Sequence, residues 1–255
     1  MSTAEVTLKA LTGIKLVEPG DDLGAIAVAA FTSNRVAPAP GDVLVVAQKI
    51  VSKAEGRYVD VAAVEPSPPA VALAAETDKD PRFVEIVLGE AKRVVRHRPG
   101  LLIVEHRLGF VMANAGIDHS NIPGDGAERV LLLPVDPDGS AARLRDHLTG
   151  FFGVPIAVII CDSFGRPWRK GTVGVALGAA GLPAFVDMRG QPDLFGRELR
   201  VTETGFADEI AAAAGLVMGQ AAEAVPMVLV RGLTWSAPDL PVAAMVRSPE
   251  NDLFR

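Results

Sequence analysis

Two carboxylates stand out by the company they keep. Asp162 follows the apolar run Val154-Pro155-Ile156-Ala157-Val158-Ile159-Ile160 and opens the stretch Asp162-Ser163-Phe164-Gly165-Arg166-Pro167-Trp168-Arg169-Lys170-Gly171. A carboxylate, a hydroxyl, a tryptophan and three cations at the end of a strand suit a site for a metal and an anionic substrate better than a solvated loop. Asp118 sits in Ala113-Asn114-Ala115-Gly116-Ile117-Asp118-His119-Ser120-Asn121. Read alone, that segment is equally an Asx-rich turn. Two carboxylates at strand ends, each followed by small polar residues, have the oxygen chemistry of a hard divalent cation that leaves positions open for substrate phosphates.

The other chemical residues fall around these two. Lys49 and Lys53 follow the short run Val43–Ala47 and could meet a phosphate, although solvated helix lysines are the commoner case. Arg166, Arg169 and Lys170 could clamp an anion, arginine by bidentate pairing, or serve surface salt bridges. Trp168 could stack on a ring, with core packing the plainer role. Glu209 and Gln220 stand eleven residues apart, near three helical turns, and would share a face of one helix. Ser163 lacks the GxSxG elbow of a serine nucleophile, and Cys161 reads as a buried residue. GxxxxGK[ST], GxGxxG and HExxH are all missing, so any nucleotide must be held in another way.

Positioning these groups requires strands and helices in irregular alternation. Strands are expected at Val6–Leu11, Val43–Ala47, Leu101–Glu105, Phe110–Ala113, Val130–Leu133, Val154–Ile160, Ala184–Met188 and Pro226–Val230. The second pair of apolar runs past residue 100 reads as a hairpin. Helices are expected over Leu23–Thr32, capped by Asp21 or Asp22, over Ala70–Glu76, from Asp80 to about Arg96, over Ser140–Thr149 with a cap near Asp138, and over Phe206–Ala222. Val173–Gly181 fits a strand or a helix. The order argues for an α+β fold in preference to α/β.

Composition narrows the functions. The chain has 255 residues, 49% hydrophobic and 22% charged, with Lys+Arg 25 against Asp+Glu 31 and a net charge of −6. The length is enough for a real core. No basic block is present to replace phosphate counterions, which argues against nucleic-acid binding. One cysteine allows no internal disulfide and fits a reducing, cytoplasmic setting. The first residues lack the pattern of a signal peptide, and no run reaches the ~20 apolar residues of a spanning helix.

Several motifs in order then resemble one family. They are Leu11-Thr12-Gly13 with Pro19-Gly20-Asp21-Asp22-Leu23, Gln48-Lys49-Ile50-Val51-Ser52-Lys53-Ala54-Glu55-Gly56, the Asp118 and Asp162 stretches, and Ala207-Asp208-Glu209 through Met218-Gly219-Gln220. Together they resemble the coenzyme F420-0:L-glutamate ligases over roughly residues 10–233. The resemblance implies a single ligase domain over residues 1–255, without the flavin-binding domain that many relatives carry next. It implies a two-lobed mixed-sheet α+β fold in an intertwined homodimer. It also implies GTP-dependent ligation of L-glutamate to F420-0 through an acyl phosphate, with further γ-linked glutamates, manganese or magnesium, and help from potassium.

Carried over by position, the resemblance makes Asp118 and Asp162 metal ligands, with Ser163 and Gln220 candidates for a second metal. Asp118, Asp162 and Lys53 become the catalytic set. Ile14, Lys15, Leu16, Val17, Gln48, Lys53 and Asn121 become nucleotide contacts, with Gln48 standing where some relatives have a hydroxyl. Arg166, Arg169 and Lys170 are left as substrate-binding candidates. Other readings stay open: a related amide ligase on another carboxylate, a non-catalytic nucleotide- or coenzyme-binding protein, and a metal-dependent phosphohydrolase.

Overall fold

The computed structural model describes residues 5–120 and 128–252. In chain order its first half comprises β1 (Thr7–Leu11), α1 (Leu23–Ser33), β2 (Val43–Ala47), α2 (Gln48–Ala54), β3 (Tyr58–Asp60), α3 (Pro68–Thr77), α4 (Pro81–Glu90), β4 (Ala91–Arg98), β5 (Leu101–His106) and β6 (Val111–Ala113). The second half comprises β7 (Arg129–Leu131), α5 (Pro137–Phe152), β8 (Ala157–Arg166), β9 (Arg169–Ala180), β10 (Val186–Asp187), β11 (Glu203–Thr204), α6 (Phe206–Met218) and β12 (Met227–Arg231).

Unbroken apolar runs dictate the centre. β2, β12 and the first half of β8 are apolar at nearly every position, the pattern of strands covered on both faces. They form the middle of a five-stranded sheet ordered β1-β12-β2-β8-β9. β2 and β8 run parallel, and every other neighbouring pair in this sheet is antiparallel. Alternation sorts the side chains. Leu44, Val46, Val158, Ile160 and Leu229 share a core with Phe31 of α1 and Leu144 and Leu148 of α5. Val43, Val45, Ile159, Cys161, Val228 and Val230 share the other with Ala207, Ile210, Ala211 and Ala214 of α6. Each fully buried aliphatic side chain here contributes about 1.5–3 kcal/mol.

Two glycines let the helices close on β9. A Cβ at Gly174 would lie 2.4 Å from the Ala211 carbonyl oxygen of α6, and one at Gly178 would lie 2.3 Å from the Pro137 carbonyl of α5. The same helices seal the outer edge of the strand. Asp208 Oδ1 accepts from the Ala176 N–H at 2.8 Å, and Asp138 Oδ1 accepts from the Ala179 N–H at 2.8 Å. A sheet edge with its donors occupied is a poor template for unwanted pairing.

A third core is built from the chain that runs from β3 to β7. Phe83, Val84 and Val87 of α4 pack with Ala70 and Ala74 of α3, Leu102 and Val104 of β5, and Val130 and Leu132. β4, β5 and β6 form an antiparallel sheet, and β3 pairs with β7. The mixture of sheets and helices agrees with the α+β expectation, and the hairpin expected past residue 100 is present as β5 and β6.

Several sequence expectations are corrected. The helix expected to run to Arg96 stops at Glu90, and residues 91–98 form β4, paired with β5. Val94 and Val95 fit a strand as well as a helical face, and cross-strand pairing decided between them. The helix expected at Ser140 starts earlier, at Pro137, with Asp136 rather than Asp138 as its cap. The strand expected at Ala184–Met188 reduces to Val186–Asp187. α6 ends at Met218 because Gly219 leaves the helix with φ 74°. Gln220 therefore lies outside the helix, and the helical face expected to be shared by Glu209 and Gln220 does not exist.

Candidate functional site

Four chain segments meet at one end of the central sheet, and register places them there. Ala47, the last residue of β2, is level with Cys161 of β8. Met227, the first residue of β12, is level with Val46 on one side and Leu11 on the other. The loop after β1, the helix α2, the loop from α6 into β12 and the second half of β8 all begin or end at this edge. The carboxyl ends of adjacent parallel strands are a common place for a site, since the chain must turn away there and leave a crevice.

β8 does not stop where its apolar run stops. The strand expected to end at Ile160 continues to Arg166 and pairs with β9 as far as Arg166↔Arg169. Asp162 is thus held inside a strand, not in a loop. Pro167 and Trp168 make the hairpin tip, with Trp168 at φ 59° and 83% exposed, so the core role considered for it is overturned. Cys161 is buried as expected, and burial followed by the charge of Asp162 pushes its thiol up to about 12. That excludes a reactive thiolate at neutral pH.

Asp118 arrives from the third core. Asn114, Ala115 and Gly116 adopt left-handed φ values of 51°, 54° and 67°. Such a conformation costs about 1–2 kcal/mol per non-glycine residue. The turn redirects the chain after β6, so that Asp118 forms an antiparallel bridge with Leu131 through main-chain bonds of 2.9 and 3.0 Å. Leu131 is also paired with Tyr58, four residues after the end of α2. β7 therefore ties Asp118 to the chain leaving α2.

The side chains then converge. Gln48 Nε2 donates to Asp118 Oδ2 at 2.8 Å, and Ser52 Oγ donates to Gln48 Oε1 at 2.9 Å. Gln48 is 1% exposed and Ser52 fully buried. Lys49 Nζ lies 3.2 Å from Asp118 Oδ1 and donates to Ser120 Oγ at 3.1 Å. The view of Lys49 as a solvated lysine does not survive. Burial raises Asp118, against the pull of Lys49 and Gln48. Burial, then repulsion from Asp118, push Asp162 up to about 7, while the Ser163 main-chain N–H and Lys49 favour its charged form. Lys53 is lowered by burial and by Lys49, with Asp118 opposing. The two carboxylates and two lysines therefore lie within one electrostatic neighbourhood.

Other predicted residues are distributed around it. The loop holding Ile14, Lys15, Leu16 and Val17 is fastened to the end of α2 by a bond from the Gly20 N–H to the Ala54 carbonyl at 2.9 Å. Val17 is buried, Ile14 packs against the first core, Leu16 is exposed, and Lys15 pairs with Asp21 at 2.6 Å. Asn121 lies outside the described residues. Ser163 follows Asp162 in the strand, so alternation turns its side chain toward the Cys161 face. Met218 reaches that same face, its sulfur 3.9 Å from Cys161 Sγ, and Gln220 follows in the loop toward β12. Arg166, Arg169 and Lys170 lie at the hairpin tip, where Arg166 Nη1 donates to the Gly171 carbonyl at 3.2 Å. Four residues of strand separate Arg166 from Asp162, about 13 Å. The backbone of these cations is therefore set well apart from Asp162.

The sequence does not single out Ser52, and it offers Lys49 as a phosphate contact without its link to Asp118. Both lie within a quoted motif, but their roles depend on Asp118, which approaches only through folding. Spacing alone offers a faint signal: positions 48 and 52 are one helical turn apart and so meet.

The donor set can be tested against a divalent cation. Among the described residues no group of three or more His, Cys, Asp or Glu side chains gathers. Two carboxylates with neutral oxygens nearby do fit magnesium or manganese, which retain waters and take further oxygens from substrate phosphates. They do not fit a zinc centre built from nitrogen and sulfur. No helix is long and apolar enough to cross a membrane.

Comparison with known proteins identifies the family. The family described as F420-0:Gamma-glutamyl ligase matches residues 13–232. The coenzyme F420:L-glutamate ligase of Methanopyrus kandleri is 47% identical over 94% of this chain and 93% of its own. The protein of the same name from Methanothermobacter thermautotrophicus is 44% identical over 98% and 99%, and that from Archaeoglobus fulgidus is 43% identical over 95% and 94%. The matched span reaches from the loop after β1 to the end of β12 and so takes in every segment of the site: the chain belongs to the F420-0:gamma-glutamyl ligase family.

Proposed function

We propose that the protein ligates L-glutamate to coenzyme F420-0 at the expense of GTP, and extends the product with further γ-linked glutamates. The observation that carries this reading is the meeting of Asp118, Asp162, Lys49 and Lys53 near the carboxyl ends of β2 and β8. In the first step a carboxylate oxygen of F420-0 bonds to the γ-phosphorus and GDP leaves. In the second the glutamate amine bonds to the acyl carbon and inorganic phosphate leaves. Manganese or magnesium, held by Asp118 and Asp162, would supply charge neutralisation on the phosphates. A second such ion would be held by Ser163 and Gln220, and potassium assists in this reading.

The chain's own residues have distinct tasks. Lys53, lowered by burial and by Lys49, would gain from an anionic neighbour and meets the phosphates in this reading. Gln48 braces Asp118. Ile14, Lys15, Leu16 and Val17, in the loop fastened to the end of α2, contact the nucleotide in this reading, which also assigns a nucleotide contact to Asn121. Arg166, Arg169 and Lys170, about 13 Å along the strand from Asp162, suit a distant anionic part of the acceptor.

A homodimer belongs to the same reading, and its interface would cover exposed apolar side chains such as Trp168, Leu194 and Phe195. Sedimentation of the purified chain at twice the monomer mass is the expected result, and a monomer removes this part. A cytoplasmic setting is part of the same proposal.

The test mixes protein, GTP, Mn²⁺, F420-0 and glutamate and reads product masses. Products spaced by one glutamyl unit, with GDP formed in step, are expected. An unchanged acceptor with the protein folded defeats the reading. GDP release without glutamate favours a phosphohydrolase.

A further inference from the structure

Both oxygens of the Asp118 carboxylate are already engaged by the protein, and the two partners differ in how easily they can leave. Gln48 Nε2 holds Oδ2 at 2.8 Å, and the amide is locked from behind by the buried Ser52 hydroxyl at 2.9 Å. Lys49 Nζ holds Oδ1 at 3.2 Å from a flexible stem whose side chain is 28% exposed. A carboxylate oxygen has two lone pairs. A neutral amide can therefore stay while a cation binds the same carboxylate. An ammonium cannot stay so easily, because a divalent ion at Oδ1 would come within a few ångströms of it, and like charges at that range in a half-buried site repel strongly.

We propose that Lys49 is the resident counterion of this site: it holds Asp118 while no divalent cation is bound, and passes to the phosphate chain of the nucleotide when one is. The inference rests on the metal and nucleotide reading above and adds a residue to it. Geometry gives Lys49 a second foothold. Its ammonium also donates to Ser120 Oγ at 3.1 Å, so releasing Asp118 does not leave it without a neutral partner. Charge supplies the direction. Asp162 feels the charge of Asp118 in a poorly solvated setting, and the Lys49 ammonium beside Asp118 offsets part of that repulsion. A divalent ion offsets more of it and makes the ammonium surplus there. The phosphates entering with that ion offer oxygens to a compact, mobile charge. Lys49 thereby prepares Asp118 in its ligating position and leaves as the site fills.

The experiment measures Mn²⁺ binding to the full chain without nucleotide, by titration calorimetry, in wild type, Lys49→Met, Lys49→Gln and Lys49→Arg. Removing the charge is expected to tighten Mn²⁺ binding about tenfold in both neutral variants, while GTP binding in the presence of Mn²⁺ weakens about tenfold. Lys49→Arg should stay within about threefold of wild type in both assays. A lysine that only props Asp118 would give weaker metal binding when removed, so unchanged or weakened Mn²⁺ binding in the two neutral variants overturns the inference. Thermal melts identify a variant that has failed to fold, and Lys49→Gln, which retains a donor for Asp118, stands in if Lys49→Met does so. Absence of Mn²⁺ binding to folded wild type defeats the metal reading itself, a result distinct from equal binding by wild type and variants.

Discussion

Gln48 and Asp118, seventy positions apart in the chain, are joined by a hydrogen bond of 2.8 Å from amide to carboxylate. That bond connects a helix growing directly out of the central sheet with a turn built on a separate core. Its geometry depends on Ser52, since an amide whose oxygen is held by a hydroxyl must present its nitrogen to the carboxylate.

Replacing Ser52 by Ala should loosen this relay without removing any group that faces substrate. The loss of one buried hydrogen bond costs about 1 kcal/mol of stability, and a free Gln48 amide can turn over. Nucleotide-dependent turnover is expected to fall about tenfold. Gln48→Leu should be worse for stability, by about 1–3 kcal/mol, because it leaves the buried Ser52 hydroxyl without its acceptor. Denaturant unfolding and steady-state kinetics separate the two effects; unaltered kinetics in both variants would argue that the relay is purely structural.

Asp118→Asn and Asp162→Asn remove charges that burial and mutual repulsion already disfavour. Stability should hold or rise, while ligase turnover falls by about a hundredfold or more, the usual scale for losing electrostatic stabilisation in a phosphoryl site. Thermal melts and GDP release report the two quantities. Wild-type turnover in either variant would remove the metal role from that residue.

Gly174→Ala tests the closure of α6 on β9. Its new methyl would meet a carbonyl oxygen at 2.4 Å, a backbone group that cannot swing aside. Overpacking of this kind typically costs 1–3 kcal/mol. Gly150, with nothing within 4 Å of its would-be Cβ and lying inside α5, is the control: Gly150→Ala should be neutral or stabilising. A drop in melting temperature confined to Gly174→Ala is the expected pattern.

Glu90 gives a prediction in pH. Burial pushes its carboxyl up, but the His106 imidazole, 3.3 Å away, a hydrogen bond from Arg107 and the charges of Arg107 and Arg57 prevail and hold it down to about 2, from an ordinary 4.5. A carboxyl lowered on folding contributes stability that is whole above about pH 4.5 and is lost as pH falls toward 2. Glu90→Gln should therefore cost about 1.5–3 kcal/mol at pH 7, since Arg57 and Arg107 lose a charged hydrogen-bond partner, and show a flatter acid limb between pH 5 and 2 in urea titrations. An acid limb as steep as that of wild type would place the acid sensitivity elsewhere.

The corrections share a cause with the successes. Expectations held where local chemistry was decisive: Asp22 capping α1, and the apolar runs that became β2 and β12. They failed where a partner distant in sequence decided. Val94 and Val95 became strand because β5 lies beside them, and Asp162 became strand because β9 extends β8 past its last buried residue. Gly219 was visible as a helix stop, yet the polar Gln220 drew the expected helix past it.

The sequence by itself determined the ingredients: the apolar runs, the two carboxylates, the lysines after β2, and enough ordered motifs to point to a family. These depend on residue type and short spacing, which the chain displays directly. Tertiary structure alone decided that Gln48 and Lys49 each take one oxygen of Asp118, that the cations after Asp162 stand at a hairpin tip away from it, and that Asp162 is poised near neutrality. Contact between distant segments, and the exclusion of water that follows from it, set those properties, and neither is written in the local order of residues.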